Sequence, residues 1–152
     1  MHKLKLFIIS FLLLFLSFNL IAQQLSEKEM IGFGCWFSGR QTKQVERGFQ
    51  LLSNNNLNQL RKNLRKPNSA GQFFAIIALT KLDSAGTISL SSGELEQIAN
   101  IRNSTKKVSF CSGCTGFYES TLSDALDKNS VIYKDSNFWI SRKLKELNYC
   151  RE

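Results

Sequence analysis

The chain has 152 residues, 43% of them hydrophobic, with 20 basic and 12 acidic residues and a formal net charge of +8. That length suits one domain able to bury a real core. The single histidine is His2, inside a segment that reads as an export signal. The exported chain is therefore expected to lack histidine, which excludes Ser-His-Asp and Cys-His catalysis, imidazole acid–base chemistry and histidine metal ligation.

His2, Lys3 and Lys5 form a short basic region, and Leu6 to Leu16 is an almost unbroken apolar run. Ser17 to Ala22 follows, with a small residue at its end. Residues 1–22 are therefore predicted to be a secretory signal peptide, cleaved after Ala22. Retention as a membrane anchor is the alternative, since the uncharged stretch is near the shortest length that spans a bilayer. A lipoprotein reading fails because Cys35 lies too far from the apolar run. Cleavage removes Lys3 and Lys5 and leaves 130 residues with 18 basic against 12 acidic side chains. The expected location is exported, periplasmic or secreted, with no stable membrane insertion after cleavage.

The remainder, 23–152, is predicted to be one mainly α-helical domain. It is read as a disulfide-stapled bundle of about five or six short helices, with at most a short β element near 108–110. Ser26-Glu27-Lys28-Glu29 fits a capping box and predicts a short helix from Ser26. Gly32 to Gly39 is glycine-rich and irregular, and it carries Cys35, Trp36 and Phe37. From about Gln41, Val45, Phe49 and Leu52 recur at helical spacing and stop at Asn54-Asn55-Asn56. Leu57, Leu60 and Leu64 predict a second helix, ended by Pro67.

Ser69 is the expected cap of the most hydrophobic element, Phe73 to Leu82, which is apolar on nearly all faces and predicted to be a buried central helix. A loop over 83–86 follows. Ser91-Ser92-Gly93-Glu94 is a second capping box, opening a helix with Leu95, Ile98, Ala99 and Ile101. Val108-Ser109-Phe110 alternates as a short strand or strap would. Ser123 is expected to cap a short helix over 124–128. Asp135 or Ser136 is expected to start the last helix, with Trp139, Ile140, Leu144 and Leu147.

All four cysteines, Cys35, Cys111, Cys114 and Cys150, lie beyond the signal, and an even count in an oxidising compartment points to disulfides. One arrangement joins Cys111 to Cys114 and Cys35 to Cys150. The other joins Cys35 to one of the Cys111/Cys114 pair and Cys150 to the remaining one. The sequence leaves both open. The functional alternative is thiol–disulfide exchange at Cys111-Ser112-Gly113-Cys114, whose spacing is that of a redox motif. The motif lacks a downstream proline and the βαβ setting of a thioredoxin-like site. A zinc site is not expected, because Cys35 and Cys150 do not supply a second ligand pair. Ser104 and Lys107 have Ser-x-x-Lys spacing without the companion motifs of the enzymes that use it. No metal and no cofactor is predicted.

Arg61, Lys62, Arg65 and Lys66 cluster opposite the leucine stripe, as do Arg142, Lys143 and Lys145. Such runs form solvated helix faces or meet an acidic partner. Nucleic acid is not expected, since the clusters lack interleaved aromatics. Trp36 and Phe37, with Arg61, Lys62, Arg65 and Lys66, are the candidate binding patch. In general type, a small, exported, helical, disulfide-bearing chain without catalytic residues resembles periplasmic immunity or inhibitor proteins. That resemblance, with the missing histidine and catalytic constellation, leads to the expectation of a non-enzymatic, protein-binding function in the cell envelope; the basic clusters make an acidic protein the expected kind of partner.

Overall fold

The computed structural model describes residues 27–149. The predicted signal segment, Ser26 and Cys150 lie outside that range. The described chain is a mainly helical small domain with six helices and a three-stranded mixed sheet. Its central element is α3 (Ser69–Ser84), in which Ala70 through Leu79 and Leu82 are buried. A helix apolar on every face must be surrounded, and here it is. Helix α1 (Lys43–Ser53) lays Val45, Phe49 and Leu52 against it. Gly48 faces the ring of Phe74 so closely that a Cβ there would collide with it.

Helix α2 (Leu57–Lys62) is capped by Asn56 and tightens into a 3-10 turn over Asn63–Arg65. Lys66 is extended (ψ 151°), as a residue preceding proline prefers, and the chain turns at Pro67 into α3. The cap of α3 is Asn68 rather than Ser69: its side chain accepts from the Gly71 amide at 2.8 Å and donates to the Lys28 carbonyl at 2.7 Å. Asparagine does both because its amide carries an acceptor and donors. Helix α4 (Ser92–Arg102) has the predicted capping box, Ser91 with Glu94. Ile98 and Ile101 are buried, whereas Leu95 faces solvent.

The sheet exceeds the single short element expected near 108–110. Strand β2 spans Lys107–Ser112 and pairs antiparallel with β3 (Gly116–Thr121), while β1 (Met30–Ile31) pairs parallel with β2 on its other edge. The helix predicted from Ser26 does not continue into residues 27–31: a turn leads directly into β1. Pairing with Ser109 and Phe110 claims Met30 and Ile31, and this distant partner overrides the local helix signal.

Four residues of β2 in a row, Val108–Cys111, are buried because the sheet is covered on both sides. Ile31, Val108 and Phe110 turn toward the helices, and Phe110 meets Phe73 edge-on at 5.3 Å. Met30 and Cys111 join Cys35 in a second, small buried cluster under Trp36.

Helix α5 (Leu122–Ala125) is capped by Thr121, not Ser123, so it starts two residues before the expected span of 124–128 and shares only Asp124 and Ala125 with it. Helix α6 (Val131–Glu146) starts at a Ser130 cap, five residues before Asp135. Ile140 and Leu144 are buried on α6, and the Tyr149 hydroxyl donates to the Leu52 carbonyl at 2.8 Å, fastening the end of the described chain to α1.

Candidate functional site

The disulfide joins Cys35 to Cys111, with Cα atoms 5.7 Å apart and a sequence separation of 76. The arrangement pairing Cys111 with Cys114 is thereby overturned, since the Cys111 sulfur is already bonded. Cys114 is exposed and has no disulfide partner among the described residues; Cys150 lies outside them. Gly32 makes the bond sterically feasible, because a Cβ at that position would collide with the Cys35 sulfur. The covalent link holds the 32–40 loop against the β2–β3 hairpin, and the Gly113 amide adds a hydrogen bond to the Gly34 carbonyl at 2.9 Å.

The loop holds Trp36 at φ 59°, a left-handed conformation that costs a bulky residue about 1–2 kcal/mol. Several contacts fix it there. The Cys35 amide donates to the Arg40 carbonyl at 2.8 Å, and the Gly39 amide to the Trp36 carbonyl at 3.2 Å. The Arg40 guanidinium lies 4.3 Å over the Trp36 ring and pairs with Glu27 at 2.8 Å. Phe37, next in sequence, is 91% exposed.

Beside the loop is a cleft of about 200 Å³ between β2, β3 and α6, with Phe33, Tyr118, Ile132, Asp135 and Trp139 among its lining residues. Phe33 stacks on Trp139 at 6.2 Å, and Tyr118 stacks on Phe110 at 5.5 Å. Burial pushes the Tyr118 hydroxyl above its ordinary value, and the nearby Asp135 carboxylate adds to the effect. Tyr118 is therefore a neutral donor throughout the physiological range. Phe117, Tyr118, Phe138 and Trp139 are all more than a third exposed.

Strand β3 closes one side of this region and is an edge of the sheet. Among the described residues nothing hydrogen-bonds to the outer side of its backbone. Proteins usually guard such edges with lysine, proline or a bulge. Gly116–Thr121 contains neither lysine nor proline. Its one charge, Glu119, is engaged across the sheet by Lys107 at 3.3 Å and Ser109 at 3.4 Å.

The sequence-derived patch divides. Trp36 and Phe37 lie on the disulfide loop, beside the hairpin. Arg61 lies on α2 and is structural: it donates to the Glu94 carboxylate at 2.6 Å and to the Ser89 carbonyl at 3.1 Å, tying α2 to the start of α4. Burial alone would raise the Glu94 carboxyl, but hydrogen bonds from Arg61 and Ser91 outweigh it and hold the group below the ordinary carboxylate range. Lys62 and Arg65 are exposed and Lys66 is half-buried. Phe117, Tyr118 and Phe138 escaped the sequence reading. The signal available was Phe117-Tyr118 following a turn of glycines and small residues, a hairpin pattern.

No group of three or more His, Cys, Asp or Glu that could hold a metal occurs among the described residues. No described helix is long and apolar enough to cross a membrane. The disulfide is consistent with an oxidising, extracytoplasmic compartment. Comparisons with protein-family models, with curated proteins and with solved structures gave no match.

Proposed function

We propose that this is an exported, non-enzymatic protein-binding module of the inhibitor or immunity type, acting in the periplasm or outside the cell. Its contact surface is the open edge of β3 together with Phe117, Tyr118 and the exposed aromatics beside them. The observation that carries this reading is an unguarded six-residue sheet edge flanked by exposed aromatic rings. An extended segment of a partner protein can add a strand there, main-chain hydrogen bonds giving affinity and the aromatic cleft giving selectivity. The disulfide holds the hairpin and loop in place before binding, which limits the ordering cost. The excess of basic residues favours an acidic partner.

The test is capture from cell-envelope extract by the purified, immobilised chain and two variants. Phe117→Ser combined with Tyr118→Ser should abolish capture of the specific protein. Leu95→Ser, which alters an exposed apolar residue on α4, should leave it intact. Equal capture by the double variant, or equal loss in both variants, contradicts the reading.

Thiol–disulfide exchange through Cys111 and Cys114 is the second reading, favoured by the exposure of Cys114. Its first step has the Cys114 thiolate attack the Cys111 sulfur, breaking the bond to Cys35 and releasing a Cys35 thiolate. That leaving group would stand in a buried cluster with Met30 and Trp36, where burial disfavours its charge. Insulin reduction at a rate unchanged by Cys111→Ser would dismiss exchange at this pair.

A further inference from the structure

A second surface feature uses none of the residues above. Thr80, Lys81 and Ser84 of α3, Arg102 at the end of α4, Lys128 in the turn before α6, and Tyr133 of α6 line an open cleft of about 390 Å³. Three cations contributed by separate elements converge on it, and no carboxylate lines it. None of the three forms an ion pair among the described residues. By contrast, Arg40, Arg61, Lys107, Arg142 and Lys143 all do.

We propose that this cleft is a binding site for a phosphoryl group, free or carried on a headgroup. Like charges gathered at one place repel, and here the fold offsets that repulsion. Lys81 and Arg102 stand in the last turns of α3 and α4, where the negative end of the helix dipole favours a cation. Arg102 is also oriented: one guanidinium nitrogen donates to the Leu126 carbonyl at 2.9 Å, and its remaining donors are left for a ligand. The Thr80 and Ser84 hydroxyls donate back to the Ile76 and Thr80 carbonyls, so they offer the cleft no proton. The Tyr133 hydroxyl has no hydrogen-bond partner among the described residues and can donate. Two ammonium groups, a guanidinium fork and a phenol suit a multiply charged tetrahedral oxyanion. The cleft is larger than one phosphate, which leaves room for whatever carries it. The same helix dipoles that stabilise the empty site weaken its hold on an anion, so affinity should be modest and salt-dependent.

The experiment is an amide NMR titration of the purified, signal-free chain with inorganic phosphate at low salt, with chloride at matched ionic strength as the control. Wild type should show saturable shifts confined to residues 80–85, 101–103 and 128–133, with a dissociation constant on the order of 1 mM. Lys81→Gln combined with Lys128→Gln should weaken it roughly tenfold. These side chains make no hydrogen bond or ion pair on which the fold depends, so the variant should keep its spectrum. Sedimentation with phosphatidate vesicles, against phosphatidylcholine vesicles, distinguishes the sources. Binding to phosphatidate that the double variant loses assigns a lipid headgroup. Saturable phosphate binding without vesicle binding assigns a soluble phosphate. Shifts matched by chloride, shifts spread over the other lysines, or an unchanged constant in the double variant would overturn the site.

Discussion

On the helical side of the sheet, Phe73, Phe74, Ile76, Ile77 and Leu79 lie within a single buried helix and are wrapped by four further helices and β2. On the other side the buried apolar cluster among the described residues is Met30, Cys35 and Cys111, with Trp36 packed against them. Apolar burial suffices for the first layer, since each large side chain contributes about 1.5–3 kcal/mol. Three residues cannot hold the second layer by burial, and a covalent bond takes that role. The difference bears on which aromatic side chains stay exposed. The helical layer sends its large side chains into the core around α3, whereas the cross-linked layer leaves Phe37 and Phe117 exposed.

The contrast can be broken most forcefully at the bond itself. Cys35→Ser combined with Cys111→Ser removes a link across a sequence separation of 76 and should cost about 4 kcal/mol, measured by urea denaturation. A loss below ~1 kcal/mol would mean that burial alone holds the loop. Leu79→Ala, in the burial-driven layer, should cost about 3 kcal/mol by the same measurement. Gly48→Ala sharpens the account through its sign. In an open helix the change gains up to about 1 kcal/mol. Here the added methyl meets the Phe74 ring, so a loss of about 1–2 kcal/mol is expected.

A smaller effect concerns the Arg61–Glu94 tie. The Glu94 carboxyl is held below its ordinary value of 4.5, so its contribution to stability is complete above that value. It is lost as pH falls through the lower folded-state value. Acid titration of wild type against Arg61→Gln should show a shallower loss in the variant; parallel curves would dismiss the tie. The smallest effect expected is that of Phe117→Ser, which removes an exposed ring and should change stability by less than about 0.5 kcal/mol.

The central helix was legible because apolar residues on every face of α3 admit one placement. The Val45, Phe49, Leu52 stripe and the Ser91–Glu94 box were legible for the same reason: both signals are local. What the sequence hid was non-local. Met30 and Ile31 form a strand only because Ser109 and Phe110, far along the chain, pair with them. Phe117 to Thr121 lacks strict apolar–polar alternation, so its strand character comes from β2. The start of α6 is hard to read because polar Ser136 interrupts the stripe that runs from Ile132 to Ile140 and Leu144. Disulfide partners depend on the three-dimensional approach of Gly32 and the hairpin, which cysteine spacing does not encode. For the candidate site, the sequence marked Trp36 and Phe37 but grouped them with Arg61, whose guanidinium has a structural partner in Glu94.

The most direct test of the cross-linked layer is disulfide mapping of the purified chain under non-reducing conditions, with thiol alkylation and tandem mass spectrometry. The structure predicts a Cys35 peptide linked to the peptide containing Cys111, with the bond located on Cys111. A bond between Cys111 and Cys114, with Cys35 joined elsewhere, would contradict both the braced sheet edge and the binding surface built on it.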